Sequence, residues 1–539
     1  MLQKIRNHVY LALVFLILSL VQQYSFYVLK GFPIIWLTFG KYVALFVFFL
    51  LLTLIKGPRT RFLVLSVFLI LNFFQMAHLS YFGTQILPTE IYLLFSEMHE
   101  VAGVLTEELQ HIFIPLIFTL VPLGIGYYSV RRLQTSYSFK VVPVLLILYF
   151  LYNPARTYIT GNTWGRQPST RELVGMNVYL SLSYFMGRIL PYKLSSKNNP
   201  SSKNEAHHLK LTKTQNQEWD NIIVVLGESL SPHQMSLFGY GRPTTPFLDQ
   251  LKQSPNFFNT IGLSSGVSTD ISVAFFLNLG YGESGGIKAA KGEHCIFRSA
   301  KEIGYSTHFL STQSGQQLRY IAPYLCSSYL DDYRSLEETS PATVNANAAI
   351  DRDLLPNLSE LLKKGNKKFI MLHQRGSHGP WKLRSTPAST KFTNTDIDPR
   401  INDYDNSVVE FDLFWKELND LLEKQKSKTL VIYLSDHGES VGKDGRWGHG
   451  FLARTSFEVP LLIQSFNKDL PLRTRELSRY LPQYNLALYA TQVLGWETNQ
   501  SPFTVMKDYV IFGNDIDGFA GKANIEFGAL GNYEFKTIP

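Results

Sequence analysis

The sequence predicts a chain in two parts: an N-terminal bundle of five membrane-spanning helices, then a soluble α/β domain with helices on both faces of its sheet. Three observations predict this. The first 155 residues are almost wholly apolar, whereas the rest reads as a globular domain. From about residue 218 onward, short apolar runs alternate with helical patterns. Three of those runs end abruptly in clusters of acids, imidazoles and hydroxyls.

In the first part, apolar runs cover 8–29, 33–55, 62–82, 112–130 and 139–153. Most reach the ~20 residues a spanning helix needs, and the short last run leans on flanking aromatics. Lys4 and Arg6 precede the first run, Lys56, Arg59 and Arg61 separate the second from the third, and Arg131, Arg132 and Lys140 separate the fourth from the fifth. No Lys or Arg occurs from 62 to 130, where Glu90, Glu97, Glu100, Glu107 and Glu108 stand instead. Basic loops stay inside, so the N-terminus is expected in the cytoplasm and everything after Asn153 outside. The first run lacks a small-residue cleavage site and reads as a retained anchor.

Two segments, 83–111 and 177–194, carry amphipathic helical patterns. Each fits a helix lying on the outer membrane surface, or equally one packed against neighbouring spans. The polar stretch "SSKNNPSSKNEAHH" at 195–208 reads as a flexible linker. The expected division is therefore 1–155 transmembrane, 156–217 juxtamembrane helix and linker, and 218–539 catalytic. The formal net charge of +8 comes without an arginine-rich run or aromatic–basic interleaving, so nucleic acid is not an expected partner. The two cysteines, Cys295 and Cys326, lie in the same exported segment, which favours one disulfide over two unrelated buried thiols.

The soluble part delivers its chemistry at strand ends. "NIIVVLGES" ends in Glu228 and Ser229, "KKFIMLHQRGSHGP" brings His373 and His378, and "TLVIYLSDHGES" brings Asp436 and His437. Open α/β sheets bind ligands outside the carboxyl ends of their strands. After His308 only four histidines remain, His373, His378, His437 and His449, and each falls at such an end or in the glycine-rich "GRWGHG" just beyond. Singly, each would be an ordinary satisfied polar residue; together with Glu228 and Asp436 they point to a metal. A hydroxyl nucleophile is offered by "SSGVSTDISVAFF", where Ser268 and Thr269 precede a helical run. Backbone N–H groups and the dipole at that helix start favour an anion, although Ser and Thr are also the preferred caps.

These motifs in combination resemble the bacterial phosphoethanolamine transferases of the alkaline phosphatase/sulfatase superfamily. The resemblance rests on "GES" followed by "LFGYGRPTTPFL", then "GVSTDISV", "HQRGSHGP", "YDNSVVEFD", "SDHGES" and the histidine of "GHG", and it covers nearly the whole chain. It implies a mixed, mostly parallel sheet between helices, Thr269 as nucleophile, and a zinc (manganese tolerably) held by Glu228, Thr269, Asp436 and His437. His378 and His449, with His373 nearby, match positions that bind phosphate or a second metal during turnover, and one of them would handle the proton of the leaving group or acceptor. Gln313 falls where the family places polar donor-binding residues.

The implied reaction takes phosphoethanolamine from phosphatidylethanolamine, through a phospho-threonine, to lipid A, a lipopolysaccharide core sugar or another envelope glycan. The implied setting is a monomer in the bacterial inner membrane with its catalytic domain in the periplasm. Five positions depart from the family pattern: Ser231 and His233 stand where an arginine and an aspartate are common, Ala274 and Phe275 replace proline and cysteine, and Asp270 occupies a usually small or apolar position.

Two other readings share the fold. A phosphoglycerol transferase of the lipoteichoic acid synthase type uses the same threonine and five-span plan, and differs in its donor headgroup. A non-catalytic lipid-binding or transport protein would have lost the nucleophile or the ligands, and all of them are retained here.

Overall fold

A computed structural model describes the chain apart from residues 1, 33, 35, 97–108, 134, 136, 161–173, 196–208, 215–216, 283–291, 293, 337–349, 366, 505–508, 516, 529–531 and 539. It divides into two compact units, Met1–Asn199 and Pro200–Pro539.

Each of the five apolar runs of the first unit forms a helix: Leu2–Lys30, Phe39–Thr53, Pro58–Phe82, Leu109–Arg132 and Val141–Thr160. Among the described residues three helices are long and apolar enough to cross a membrane, Ile5–Lys30, Pro58–Phe82 and His111–Arg132. Phe39–Thr53 is apolar but shorter, and the second half of Val141–Thr160 carries Asn153 and Arg156. The bundle interior is largely apolar, with Leu11, Phe15, Phe49 and Leu65 fully buried, but a short polar network is set into it. Asn72 donates to Gln22 at 2.7 Å and Gln22 donates to the Thr119 hydroxyl at 2.9 Å, all three buried. Leu63, Phe74 and Ile147, by contrast, face outward. Lipid gives no hydrophobic push between helices, so such polar bonds and close backbone approach hold a bundle together.

Of the two amphipathic segments, Pro88–Ser96 is helical while 97–108 lies outside the described residues. The second is a helix from Val174, with a π-turn at Phe185–Ile189, continuing to Ser195. It packs within its own unit, where the missing Cβ of Gly187 lets its backbone meet the Pro154 carbonyl. The linker at 196–208 lies outside the described residues.

The second unit is built on an eight-stranded sheet. Its strands, in chain order, are β1 (Asn221–Gly227), β2 (Phe257–Leu263), β3 (Ser306–Ser311), β4 (Asp332–Ser335), β5 (Lys368–His373), β6 (Thr429–Ser435), β7 (Glu458–Phe466) and β8 (Leu481–Pro482). Their spatial order is β8-β2-β7-β6-β1-β5-β3-β4. Only β7 runs antiparallel to its neighbours, so the sheet is mixed and mostly parallel. β1 is buried along its whole length, because both sheet faces are covered. Ile222, Val224 and Leu226 pack with helices Ile296–Glu302 and Gln483–Leu494 on one face. Ile223 and Val225 pack with Leu354–Leu362 and Pro399–Glu423 on the other.

Cys295 and Cys326 are joined in a disulfide across 31 residues. A small sheet, β9 (Tyr509–Phe512), β10 (Lys522–Phe527) and β11 (Tyr533–Ile538), follows. Its first strand lies along the loop that precedes the Thr269 helix: Phe512 N–H donates to Ser265 O at 2.9 Å and Val267 N–H donates to Phe512 O at 3.1 Å.

Candidate active site

Five strand ends meet at one rim. Register aligns Leu226 with His373 and Gly227 with Ser435, so β1 and β6 finish level and β5 stops one residue short of them. Glu228 and Asp436 each come one residue past a strand end. Asp436 N–H donates to Gly227 O at 3.0 Å, and Ser377 N–H donates to Glu228 O at 3.0 Å. Two glycines permit this crowding. A Cβ on Gly227 would strike the Tyr433 hydroxyl, and one on Gly376, whose φ is +53°, would strike the Glu228 backbone. Ser229 turns sharply with φ 55° and is braced by Tyr404, whose hydroxyl donates to Ser229 O and accepts from Ser231 N–H, both at 2.8 Å.

From β2 the chain loops to the helix Thr269–Leu277 with Ser268 as N-cap. Thr269 heads that helix and points at the rim. Its hydroxyl donates to Glu228 Oε2 at 3.0 Å and lies 3.4 Å from His437 Nε2. His437 Nε2 lies 3.1 Å from Glu228 Oε1 and 3.5 Å from Asp436 Oδ2. Gln313, just past the end of β3, donates to Glu228 Oε2 at 3.1 Å. Glu228, Asp436 and His437 are all but sealed from solvent.

The donors of this cluster suit a cation. His437 Nδ1 faces Gly438 O at 3.0 Å. A carbonyl only accepts, so the ring proton sits on Nδ1 and Nε2 carries a lone pair. That lone pair faces two carboxylate oxygens, and Asp436 Oδ2 accepts no hydrogen bond among the described residues. Burial pushes Glu228 up to about 7. Burial and the Glu228 charge push Asp436 up to about 7 as well. Two buried acids side by side gain from a cation shared between them. Glu228, Asp436 and His437 each offer a ligand atom within 4.8 Å of the others, and the Thr269 hydroxyl stands 3.0 Å from Glu228 Oε2 and 3.4 Å from His437 Nε2, a mixed oxygen–nitrogen set of the kind zinc takes. The residues fit a divalent metal.

The remaining histidines divide. The His449 ring lies 4.1 Å from that of His437 and 5.8 Å from that of His378. Burial would lower His449, but the Glu439 carboxylate 2.9 Å from its Nδ1 holds it up at about 9. His378 Nδ1 donates to Gly379 O at 2.8 Å. His373 is turned aside: it is 1% exposed, its Nδ1 meets the Ser311 hydroxyl at 3.0 Å, and its ring lies against Phe309. The rim thus brings together Glu228, Thr269, Asp436, His437 and Gln313, borders them with His449 and His378, and leaves His373 in the core. Two residues escaped the sequence reading, Glu439 and Tyr404. Glu439 stands two places after His437 in the quoted "SDHGES", a signal that was there to use.

The family model for sulfatases matches residues 220–496, the span that holds all these residues. The chain belongs to the sulfatase family. It is 25% identical to the phosphoethanolamine transferase EptA of Helicobacter pylori, over 69% of this chain and 69% of that protein. It is 26% identical to the Kdo(2)-lipid A phosphoethanolamine 7''-transferase of Escherichia coli K12, over 51% of this chain and 49% of that one, so it spans about half of this second relative. The integral membrane lipooligosaccharide phosphoethanolamine transferase A of Neisseria meningitidis shares the fold at 18% identity and a TM-score of 0.59, covering 93% of this chain and 97% of that one.

Proposed function

We propose that this sulfatase-family chain is a phosphoethanolamine transferase, moving phosphoethanolamine from phosphatidylethanolamine to an envelope acceptor: lipid A, a core sugar or a periplasmic glycan. The observation that carries the reading is the Thr269 hydroxyl, 3.0 Å from Glu228 and 3.4 Å from His437 at the head of an otherwise buried helix. The similarity to transferases of that donor group supports it.

Thr269 Oγ1 attacks phosphorus, its proton passing to the Glu228 oxygen it already touches. A phosphorus–oxygen bond forms, and the one to diacylglycerol breaks. His449, protonated and backed by Glu439, delivers a proton to the departing oxygen, and His378 stands beside it. The acceptor O–H then attacks the same phosphorus and gives its proton to the now neutral His449, while Thr269 leaves and takes its proton back from Glu228. Gln313 also donates to Glu228 Oε2 and helps fix that carboxylate's orientation. A zinc ion held by Glu228, Asp436, His437 and Thr269, or manganese in its place, would supply Lewis-acid stabilisation of negative charge and lower the hydroxyl pKa. The first unit would anchor a monomer by five spans in the bacterial inner membrane, with the second unit in the periplasm.

Mass spectrometry of envelope glycolipids and glycans from cells with and without the protein tests this. A phosphoethanolamine increment that needs Thr269 is expected, and its absence from every glycolipid and glycan would overturn the reading.

A further inference from the structure

We infer that Ser229 and Tyr404 are positioning residues for the two acids at the rim: Tyr404 locks the turn at Ser229, and that turn aims Glu228 and Asp436 at one shared cation. This rests on the metal-binding reading above and names the residues that preorganise its ligands.

Ser229 touches both acids. Its hydroxyl donates to Glu228 Oε1 at 2.9 Å, and its backbone N–H donates to Asp436 Oδ1 at 3.1 Å. Asp436 Oδ1 also accepts from His437 N–H at 2.7 Å. Two donors on one oxygen fix the rotation of that carboxylate and leave Oδ2 as the atom facing His437 Nε2. Thr269 and Gln313 donate to the other oxygen of Glu228. One serine thus supplies a donor to each acid, so the spacing of the acids follows from its backbone conformation.

That conformation is unusual for serine. Its φ of 55° lies in the left-handed region, which a residue with a side chain holds when its surroundings impose it. The polar groups of the turn show what imposes it. Leu230 N–H donates to Ser435 Oγ at 2.9 Å, and Glu228 O accepts from Ser377 N–H at 3.0 Å. Ser229 O and Ser231 N–H both end on the Tyr404 hydroxyl, each at 2.8 Å. A single phenol closes the turn.

Tyr404 is itself held firmly. It is fully buried in the helix Pro399–Glu423, and Trp381 meets its ring edge-on at 5.3 Å. The next residue, Asp405, is tied to Arg242 and Tyr240. Burial raises the Tyr404 hydroxyl well above its ordinary value, so it keeps its proton to donate. Partners one step behind metal ligands fix ligand orientation, and losing one typically weakens metal binding about tenfold to a hundredfold.

The test uses the full chain in detergent micelles with zinc alone as the probe, its dissociation constant read by competition with a chromophoric chelator. Tyr404→Phe keeps the ring and removes the hydroxyl, and should weaken zinc binding about tenfold to a hundredfold. Ser229→Ala removes one donor and keeps the turn, so its loss should be smaller, about threefold to tenfold. The double variant should lose little beyond Tyr404→Phe alone, because both changes act through one turn. Tyr305→Phe is the control: that buried hydroxyl donates to Trp219 O at 2.8 Å, at the opposite end of β1, and its loss should leave zinc affinity unchanged. Wild-type affinity in Tyr404→Phe would overturn the proposal; if that variant does not fold, wild-type affinity in Ser229→Ala overturns it. An equal loss in Tyr305→Phe would overturn it too, by marking the effect as general loosening. No zinc binding by the wild type would overturn the metal-binding reading together with the proposal.

Discussion

His373 closes β5, and burial pushes its imidazole down to about 3, so it is neutral through the physiological range. Unfolded, the same group titrates near 6.5. Between those values the unfolded chain binds one proton more than the folded chain. Stability therefore falls as pH drops through that window, by up to ~1.4 kcal/mol per unit. His373→Asn keeps a partner for Ser311 and does not titrate, so its unfolding free energy should decline less steeply than wild type between pH 6 and 4; parallel slopes would refute this. Thr269 answers to a different measurement. Thr269→Ala leaves the helix intact but removes the oxygen that joins phosphorus, so turnover should fall about 10³-fold or more with little change in melting temperature. Thr269→Ser retains the oxygen and should recover a measurable fraction.

Why Glu228 and Asp436 turn into the rim while His373 turns away from it follows from strand geometry. Side chains within a strand point to one face or the other, and only residues past the last ladder pair can turn toward the rim. Glu228 follows Gly227 and Asp436 follows Ser435, whereas His373 is itself the last residue of β5. A one-residue difference in where a ladder stops is not visible in an apolar run. The direction of β7 and the existence of β9–β11 were equally hidden, since neither orientation nor short edge pairing leaves a mark on hydrophobic pattern. The turn after β5 yields a sharper prediction. Gly376→Ala must strain a φ of +53° and push against the Glu228 backbone, so it should cost about 2–4 kcal/mol and lower activity further by displacing the carboxylate. Gly241→Ala, with open space around it, should change stability by less than about 0.5 kcal/mol. Thermal melts of the two variants against wild type decide it.

Across the whole molecule, membrane topology turns on the two helices that fall short as candidate spans. Phe39–Thr53 has 15 residues and reaches only ~22 Å at 1.5 Å per residue, against a ~30 Å hydrocarbon core. Basic residues argue that it crosses all the same. Arg6 stacks on Tyr10, Arg131 on Tyr127 and Arg132 on Tyr128, with the charges 5.7, 4.9 and 5.4 Å from the rings. Such arginine–tyrosine pairs belong at an interface, and excess arginine marks the cytoplasmic one. The start of Leu2–Lys30 and the end of Leu109–Arg132 are then expected on the inner side. Pro58–Phe82 begins with Arg59 and Arg61, the latter donating to Ile55 O at 2.6 Å, so it too should start inside. It can do so only if Phe39–Thr53 returns the chain across the bilayer, by thinning it or by recruiting neighbouring residues. The same reasoning sends Val141–Thr160 outward. Fusions of a periplasm-active phosphatase after residues 85 and 200 should be active, and those after 57 and 135 silent, with a cytoplasm-active reporter giving the reverse. Phosphatase activity at 57 would mean that Phe39–Thr53 does not cross, and every later segment would change sides, including the one bearing Thr269.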